Sequence, residues 1–211
     1  MIKLYGPSNR AAANTLKIRA ALAAAEVDYE YIVVDLAAGQ QRSPDYVALN
    51  PHGKVPLLVD DGFALPESDA ILFYVGEKFG KAKLVPGDVR QRAQVIRWLD
   101  FASTAIYPAS YDLFSHTSSK SMIPAQNQSP FVADRARTAL DRAIAVLDGH
   151  LGAHEWMVGG GLTIADFAVA AVITMVKSRE QLGATAGAHI EAHSAKVASS
   201  VAWKKALEVT P

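Results

Sequence analysis

The stretch NPHGKVPLLVDDGFALPESDAI, residues 50–71, contains the turns and the helix start that indicate the fold of the chain. Two short apolar runs, residues 57–59 and 63–65, flank an Asp-Asp-Gly turn, and this arrangement predicts a β-hairpin. In front of the hairpin, Val55-Pro56 is an X-Pro step between a turn and a strand. We therefore predict a cis proline that leaves a backbone edge available for pairing with a ligand.

The same stretch ends in a helix start. Pro66-Glu67-Ser68-Asp69 precedes an apolar run that begins at Ala70. Free backbone N–H groups and a serine hydroxyl at a helix N-terminus suit a carboxylate or a phosphate. Serine and aspartate in this position often act only as a helix cap. The order and spacing of the turn, the hairpin and the helix start, rather than any one of them, indicate a binding site.

Composition narrows the class of protein. With 211 residues, the chain can bury one large core or two small ones. Lys plus Arg and Asp plus Glu both number 21, so no net charge recruits nucleic acid or an anionic membrane. The first residues resemble a strand rather than a leader, and the most apolar segment is interrupted by Asp166, so we expect a cytoplasmic protein without a membrane span. Because the chain has no cysteine, any thiol chemistry must come from a ligand.

The first eighty residues alternate between strand and helix patterns. Strands are predicted at residues 2–5 and 29–34, and an Ala-rich helix at about 12–25 lies between them, which makes a βαβ unit. A short helix from Pro44, the hairpin and a helix at 70–79 complete a βαβαββα domain. Pro86-Gly87 marks a linker, and the rest of the chain has helical patterns, including a long segment from residue 89 to about 116 that Pro108 should kink.

Two further motifs lie in the helical part. Thr163-Ile164-Ala165-Asp166 is a variant of the capping box in front of an apolar run, and a helix that is apolar on every side belongs in a domain centre. His189 and His193 have a spacing that can hold a metal, but no third ligand or known zinc motif accompanies them. We therefore predict no metal site.

The order of these motifs resembles the cytosolic glutathione transferase family over essentially the whole chain. This resemblance implies a thioredoxin-like α/β domain at residues 1–80, a linker at 81–88 and an all-helical domain at 89–211 that forms the second-substrate site. It also implies a homodimer. The matching pieces are KLYG (3–6), ANTLKIR (13–19), NPHGKVPLL (50–58), ESDAI (67–71) and GLTIADF (161–167).

The resemblance also implies that the stretch at 50–71 binds glutathione. The backbone before the cis proline would pair with the cysteinyl part, and the helix start would hold the γ-glutamyl end. A cation would meet the glycine carboxylate, and Lys54 is preferred to His52, which is mostly neutral at pH 7. By this resemblance the glutathione-binding residues are Arg10, His52, Lys54, Val55, Pro56, Glu67 and Ser68.

The position that contacts the glutathione sulfur departs from a common pattern. Many bacterial members have Ser-Gly-Asn ahead of Lys-Val-Arg, whereas this chain has Ala12-Ala13-Asn14, so the serine hydroxyl is missing. Asn14 resembles the asparagine of the Nu-class bacterial transferases and their fungal relatives. Its NH2 group can donate to a thiolate and, with a helix N-terminus, lower the thiol pKa from about 8.5. Ser8 and Tyr5 are the alternative catalytic candidates.

The expected activity is attack of the glutathione thiolate on a hydrophobic electrophile in a detoxification role, or glutathione-dependent reduction of a peroxide or disulfide. The wall of the second-substrate site is predicted from Tyr107, Tyr111 and Phe114, with the loop around Met122 as a lid. Because Ala12 replaces the usual serine, a glutathione-fold binding or interaction protein without useful catalysis is the alternative. The sequence does not select the electrophile.

Overall fold

The computed structural model describes residues 1–9, 11–80, 83–118, 122–181 and 187–208. Within these ranges the chain forms a four-stranded sheet and nine α-helices. Their bounds are β1 (Ile2–Gly6), α1 (Ala13–Ala24), β2 (Tyr29–Val33), α2 (Pro44–Leu49), β3 (Leu57–Asp60), β4 (Phe63–Pro66), α3 (Ser68–Lys78), α4 (Val89–Phe101), a π-helical segment (Ala102–Ile106), α5 (Tyr107–Thr117), α6 (Pro130–Ala153), α7 (Ile164–Ser178), α8 (Ala188–Ser199) and α9 (Val201–Glu208).

The sheet has the order β2-β1-β3-β4. Strand β1 is parallel to β2 and antiparallel to β3, so that Leu4 lies opposite both Tyr31 and Leu58. The predicted hairpin closes at the pair Asp60 and Phe63, and its two turn residues have positive φ, as the Asp-Gly sequence favours. The thioredoxin-like βαβαββα domain followed by an all-helical domain is therefore confirmed.

The alternation of side chains along β1 separates two cores. Leu4 and Leu58 point into the main core, which also contains the buried face of α1. Tyr5 and Leu57 point to the opposite face, where they pack with Tyr46 of α2. Because successive residues of a strand face opposite sides of the sheet, α1 and α3 cover one face and α2 covers the other.

The predicted kink in the long helix lies one turn before Pro108. Instead of a single bend at the proline, the chain forms a π-helical segment between α4 and α5. A proline has no N–H to donate to the carbonyl four residues back, which here belongs to Thr104, so the distortion falls inside Ala102–Ile106. Such π-segments often accompany functional sites, and this one faces α1.

Helix α7 forms the centre of the helical part. Its capping box is present as predicted: the Thr163 N–H donates to Asp166 Oδ2 at 2.8 Å, and Thr163 Oγ1 accepts from the Ala165 N–H at 3.3 Å. Most of its residues are buried, as expected for a helix that is apolar all round. Helix α7 also packs against α1 and α3, so it joins the helical part to the sheet domain.

None of the helices in the described part of the chain has both the length and the apolarity that crossing a membrane requires.

The contact between α3 and α7 depends on Gly76. A Cβ at this position would lie 2.7 Å from Val85 Cγ2 and 3.1 Å from Ile164 Cγ2. Overpacking of this kind typically costs about 1–3 kcal/mol, so we expect Gly76→Ala to lower the free energy of unfolding by that amount in urea denaturation. Gly80→Ala is the matched control, since no described atom lies within 4 Å of the position that its Cβ would take. Equal stability of the two variants would contradict this account of the interface.

Candidate active site

The first helix begins without a side-chain cap. Ala12 occupies the cap position and offers no hydrogen-bonding side chain to the N–H groups of the first turn of α1. Asn14 lies in that turn and is half-buried, while Ser8 is exposed in the loop that leads to it. Arg10 lies outside the described residues. An uncapped N-terminus with an adjacent amide can hold a thiolate, because both present N–H donors and the helix dipole favours negative charge.

Two side chains that were not among the predicted site residues, Tyr46 and Asn50, hold the turn before β3. The Val55-Pro56 bond is cis, as predicted. Tyr46 Oη and Asn50 Nδ2 both donate to the Lys54 carbonyl, at 2.6 and 2.7 Å. Burial raises the pKa of Tyr46 to about 12, so its hydroxyl remains a donor at physiological pH. These two bonds fix the backbone that presents Val55.

Asn50 is almost completely buried, at 1% exposure, and its Oδ1 also accepts from the His52 N–H at 3.1 Å. An asparagine that bonds the backbone two residues on makes an Asx-turn, and this was the available sequence signal. Val55 lies outside the ladder, because the paired residues of β3 begin at Leu57. The fixed turn therefore leaves the Val55 backbone available to a ligand.

The start of α3 also lacks a side-chain cap. Glu67 occupies the cap position with φ of +70°, a left-handed conformation that is unusual for a residue other than glycine. Helices α2, α4, α6 and α7, by contrast, each begin with a serine, threonine or aspartate whose side chain accepts a backbone hydrogen bond. Backbone strain of this kind is concentrated at ligand sites. The free N–H groups of this helix start, with the half-buried Ser68, can bind an anion.

The proline turn and the helix start are neighbours in space. His52 Nδ1 lies 3.4 Å from Glu67 Oε1, and both side chains are about two-thirds exposed, at 65% and 69%. An exposed pair of this kind contributes little stability. Its value is geometric, since it shows that two of the predicted glutathione-binding residues lie next to each other. Lys54, the preferred cation, is exposed in the same turn.

A buried ion pair joins α1 to α3, whose uncapped starts are described above. Lys17 Nζ of α1 lies 2.5 Å from Asp69 Oδ1 in the first turn of α3, and the Lys17 side chain is only 5% exposed. Breaking such a pair by removing one partner leaves a buried charge and is strongly destabilising. The pair thus fixes the first turn of α1, which bears Asn14, relative to the first turn of α3, which bears Ser68.

A narrow cleft separates α1 from the helical part of the chain. Asn14 and Lys17 line it on one side, and Ser103 and Tyr107 line it on the other. The structure thus brings Asn14 and Tyr107 to one opening. The remaining lining residues are small or apolar: Ala13, Ala102, Ala168, Ala171 and Val172.

Sequence comparison connects this geometry to known proteins. Residues 2–77 match the family model described as "Glutathione S-transferase, N-terminal domain", and residues 110–200 match the corresponding C-terminal domain. Glutathione S-transferase F9 of Arabidopsis thaliana is 30% identical over 170 residues, which cover 80% of this chain and 77% of that relative. The chain belongs to the glutathione S-transferase family. Glutathione S-transferase GstB of Escherichia coli strain K12 is 29% identical over 175 residues, 82% of each chain.

A solved structure agrees with this membership. The glutathione transferase from Pseudomonas putida, solved with one glutathione disulfide bound per subunit, superposes with a TM-score of 0.85 at 26% identity. The alignment covers 100% of this chain and 92% of that one. The fold of this glutathione S-transferase thus extends over both domains.

Not all of the predicted site residues lie in the same place in this transferase. The Tyr5 ring contacts Tyr46 edge-on, at 6.0 Å between centroids, on the α2 face of the sheet. Asn14 belongs to α1, which covers the other face. Tyr111 stacks on Tyr107 at 6.5 Å, and the Phe114 ring lies beneath the Arg179 guanidinium. Met122 is exposed, but residues 119–121 of the predicted lid lie outside the described residues.

The histidine pair on α8 has a structural contact instead of a metal-binding partner. His193 Nε2 lies 2.9 Å from Asp166 Oδ1, and both side chains are buried. His189 contacts the surface of α6 near Gly152. In the part of the chain that the structure describes, no group of three or more His, Cys, Asp or Glu side chains is arranged to hold a metal ion.

Proposed function

We propose that this protein is a catalytically active glutathione transferase whose glutathione binds between the Val55-Pro56 turn and the start of α3. The observation that carries the proposal is the strained, uncapped helix start at Glu67 and Ser68, which lies beside the turn, with 3.4 Å between His52 Nδ1 and Glu67 Oε1. A tripeptide with two carboxylates suits a helix N-terminus and a nearby cation. The cation we assign to the glycine carboxylate is Lys54, with His52 as the alternative, and Arg10 remains a further candidate ligand.

We assign thiol activation to Asn14. Asparagine cannot take a proton at neutral pH, so its role is to donate a hydrogen bond to the thiolate after the proton has left to solvent. The uncapped first turn of α1 adds positive potential at the same place. The sulfur then attacks an electrophilic carbon in the cleft beside Tyr107, forming a carbon–sulfur bond as the leaving group departs. Asn14 makes this protein similar to the Nu-class transferases.

Further parts of the proposal follow from family membership. The protein would act in the cytoplasm as a homodimer, with residues 1–80 binding glutathione and 89–211 forming the second-substrate site. The bound glutathione disulfide in the Pseudomonas putida relative favours disulfide reduction as a second candidate activity. Because this chain has no cysteine, that reaction would run directly between glutathione and the disulfide, without an enzyme-linked disulfide.

Two measurements test the proposed activity. Isothermal titration with glutathione measures binding, and ultraviolet absorbance of the bound thiolate against pH measures the thiol pKa. Turnover is then measured with an aryl chloride, cumene hydroperoxide and a glutathione mixed disulfide. Glutathione binding with an unshifted thiol pKa and no turnover would favour the non-catalytic binding protein, while lack of binding would refute both functions.

Ser68→Ala is expected to weaken glutathione binding. The serine hydroxyl lies at the start of α3, where we place the γ-glutamyl carboxylate, and loss of a hydrogen bond to a charged group costs about tenfold or more in affinity. Isothermal titration gives the dissociation constant. Ser199→Ala, on the exposed side of α8, is the matched control and should bind glutathione as the wild type does. Unchanged affinity in Ser68→Ala would place the γ-glutamyl end elsewhere.

A further inference from the structure

A positively charged side chain lies on the aromatic wall of the proposed second-substrate site. Arg179 follows the last residue of α7, and its guanidinium carbon is 4.7 Å from the centroid of the Phe114 ring. The neighbouring Tyr107 and Tyr111 rings stack at 6.5 Å. Because Tyr107 also lines the cleft with Asn14, this cation lies along the wall that begins at the proposed sulfur site.

The Arg179 guanidinium is held in place by hydrogen bonds that involve two buried side chains, Ser110 and Gln181. Arg179 Nη1 donates to Ser110 Oγ at 3.2 Å, and the Ser110 hydroxyl in turn donates to Gln181 Oε1. Gln181 Nε2 closes the arrangement by donating to the Ser110 carbonyl at 3.0 Å. Ser110 and Gln181 are both buried, at 0% and 4% exposure. An arginine anchored in this way has already lost much of its side-chain freedom, so binding an anion costs less entropy.

The charge of Arg179 has no carboxylate partner within the described ranges. Several lysines of the same ranges are paired, for example Lys17 with Asp69 and Lys177 with Glu191. Arg179 forms no such ion pair with any described residue. Burial lowers the pKa of Arg179, whereas Tyr107 and Tyr111 nearby raise it. Desolvating a half-buried cation that has no ion-pair partner costs free energy, and an anion bound beside it would offset that desolvation.

A structural role alone explains this placement poorly. A cation at a helix C-terminus interacts favourably with the helix dipole, and Arg179 is at the end of α7. An arginine that only interacts with the helix dipole keeps its guanidinium in water. Here the Arg179 guanidinium lies over the Phe114 ring and donates a hydrogen bond to the buried Ser110. These two contacts orient the guanidinium along the aromatic wall.

We propose that the second substrate of this transferase is an electrophile with an apolar body and an anionic group, and that Arg179 binds the anion. This inference rests on the proposed function. The apolar body would lie on Tyr107, Tyr111 and Phe114, and its reactive carbon would face the sulfur at Asn14. A carboxylate is the anion best matched to the planar guanidinium, which offers paired N–H donors. Arg179 is thus a specificity-determining residue.

Ethacrynic acid and its methyl ester test the proposal as a matched pair. In both, the glutathione sulfur adds to the terminal carbon of the enone and a proton is taken up at the adjacent carbon, so that no leaving group is involved. The carboxylate of the acid and the ester group of its methyl ester are both remote from the enone, so the two compounds have nearly the same intrinsic reactivity. We expect Arg179→Gln to lower kcat/KM for the acid about tenfold or more, since a charged hydrogen bond is lost, and for the ester less than about twofold.

Two further variants serve as controls. Arg179→Lys keeps the charge without the planar fork and should retain part of the preference for the acid. Arg142→Gln removes an exposed arginine on α6 and should leave both substrates unaffected. Equal losses for acid and ester in Arg179→Gln would overturn the proposal. A raised KM for glutathione, with no change in the ratio of the two substrates, would also overturn it, because the cation would then serve the tripeptide.

A binding measurement separates this inference from the proposed function. Quenching of intrinsic fluorescence gives the affinities of the acid and the ester without turnover. If the protein has no transferase activity but binds the acid through Arg179, the proposed function fails while the anion site remains. If it is active with the ester and binds the acid no better in the wild type than in Arg179→Gln, the anion site fails alone.

Discussion

Asp166→Ala is expected to lower the free energy of unfolding by about 3–5 kcal/mol, the cost of removing one partner from a buried charged network. Asp166 is completely buried and accepts from the backbone N–H groups of Met157 and Thr163, at 2.9 and 2.8 Å. It also accepts from Thr163 Oγ1 at 2.8 Å. Its removal would leave these donors buried without a partner, and each would pay its full desolvation cost.

Urea denaturation followed by far-ultraviolet circular dichroism measures this loss. Asp88→Ala is the matched control, because Asp88 caps α4 from a solvent-exposed position by accepting from the N–H groups of Arg90 and Gln91. Loss of an exposed cap costs about 0.5–2 kcal/mol. If Asp166→Ala loses no more stability than Asp88→Ala, the buried network contributes nothing beyond an ordinary cap.

A double-mutant cycle isolates the contact with His193. Asp166 and His193 lie 2.9 Å apart in the core, and α8 has no side-chain cap of its own among the described residues. Residues in one hydrogen-bond network couple by about 0.5–3 kcal/mol. We therefore expect Asp166→Ala and His193→Ala together to lose less stability than the sum of the single losses. Additive losses would show that Asp166 acts through the start of α7 alone.

Local sequence patterns predicted those features whose causes are local. The Asp-Gly hairpin, the cis proline turn and the capping box each depend on residues a few positions apart, and the structure contains all three. The bounds of α1 and β2 differ from their predicted bounds by about one residue for the same reason. The alternation of β1 also places Tyr5: because Leu4 is core, Tyr5 must face the other side of the sheet.

Features that depend on contacts between distant residues could not be predicted. Lys17 lies in an apolar helical run, and only the fold brings Asp69 to its ammonium group. Arg179 and Ser110 are likewise far apart in sequence, and nothing near either residue indicates their contact. A side chain's partner across the core depends on how elements pack, whereas turn and cap chemistry depends on neighbouring residues.

Asn14→Ala is expected to lower kcat for conjugation by about ten- to thirtyfold at pH 7, because a thiol with a pKa of about 8.5 is only about 3% ionised at that pH. The mutation removes the only side-chain amide among the described residues that line the cleft beside α1. The proposed tripeptide contacts at Val55, Glu67 and Ser68 remain, so glutathione affinity should change little. An effect on kcat with an unchanged dissociation constant distinguishes thiol activation from binding.

The pH dependence supplies the sharper test, because Asn14 would act on the ionisation of the thiol. A hydrogen bond to the thiolate lowers the thiol pKa, so wild-type protein should hold bound glutathione partly ionised at pH 7. In Asn14→Ala the thiol pKa should rise toward about 8.5, the value of a free thiol. The thiolate fraction of Asn14→Ala, and with it kcat, then recovers as the pH increases. The difference in kcat between the variant and the wild type should therefore narrow above about pH 8.5.

Two variants decide between Asn14 and its rival. Asn14→Asp keeps the size of the side chain but replaces the donor with a carboxylate, which repels a thiolate, so its thiol pKa should exceed that of Asn14→Ala. Ser8→Ala should leave the thiol pKa unchanged, since Ser8 is exposed in the loop before α1. The opposite outcome, a thiol pKa raised by Ser8→Ala and not by Asn14→Ala, would transfer the activating role to the serine. The family fold would be the same in either case, because the turn and the two uncapped helices that form the site do not depend on which residue contacts the sulfur.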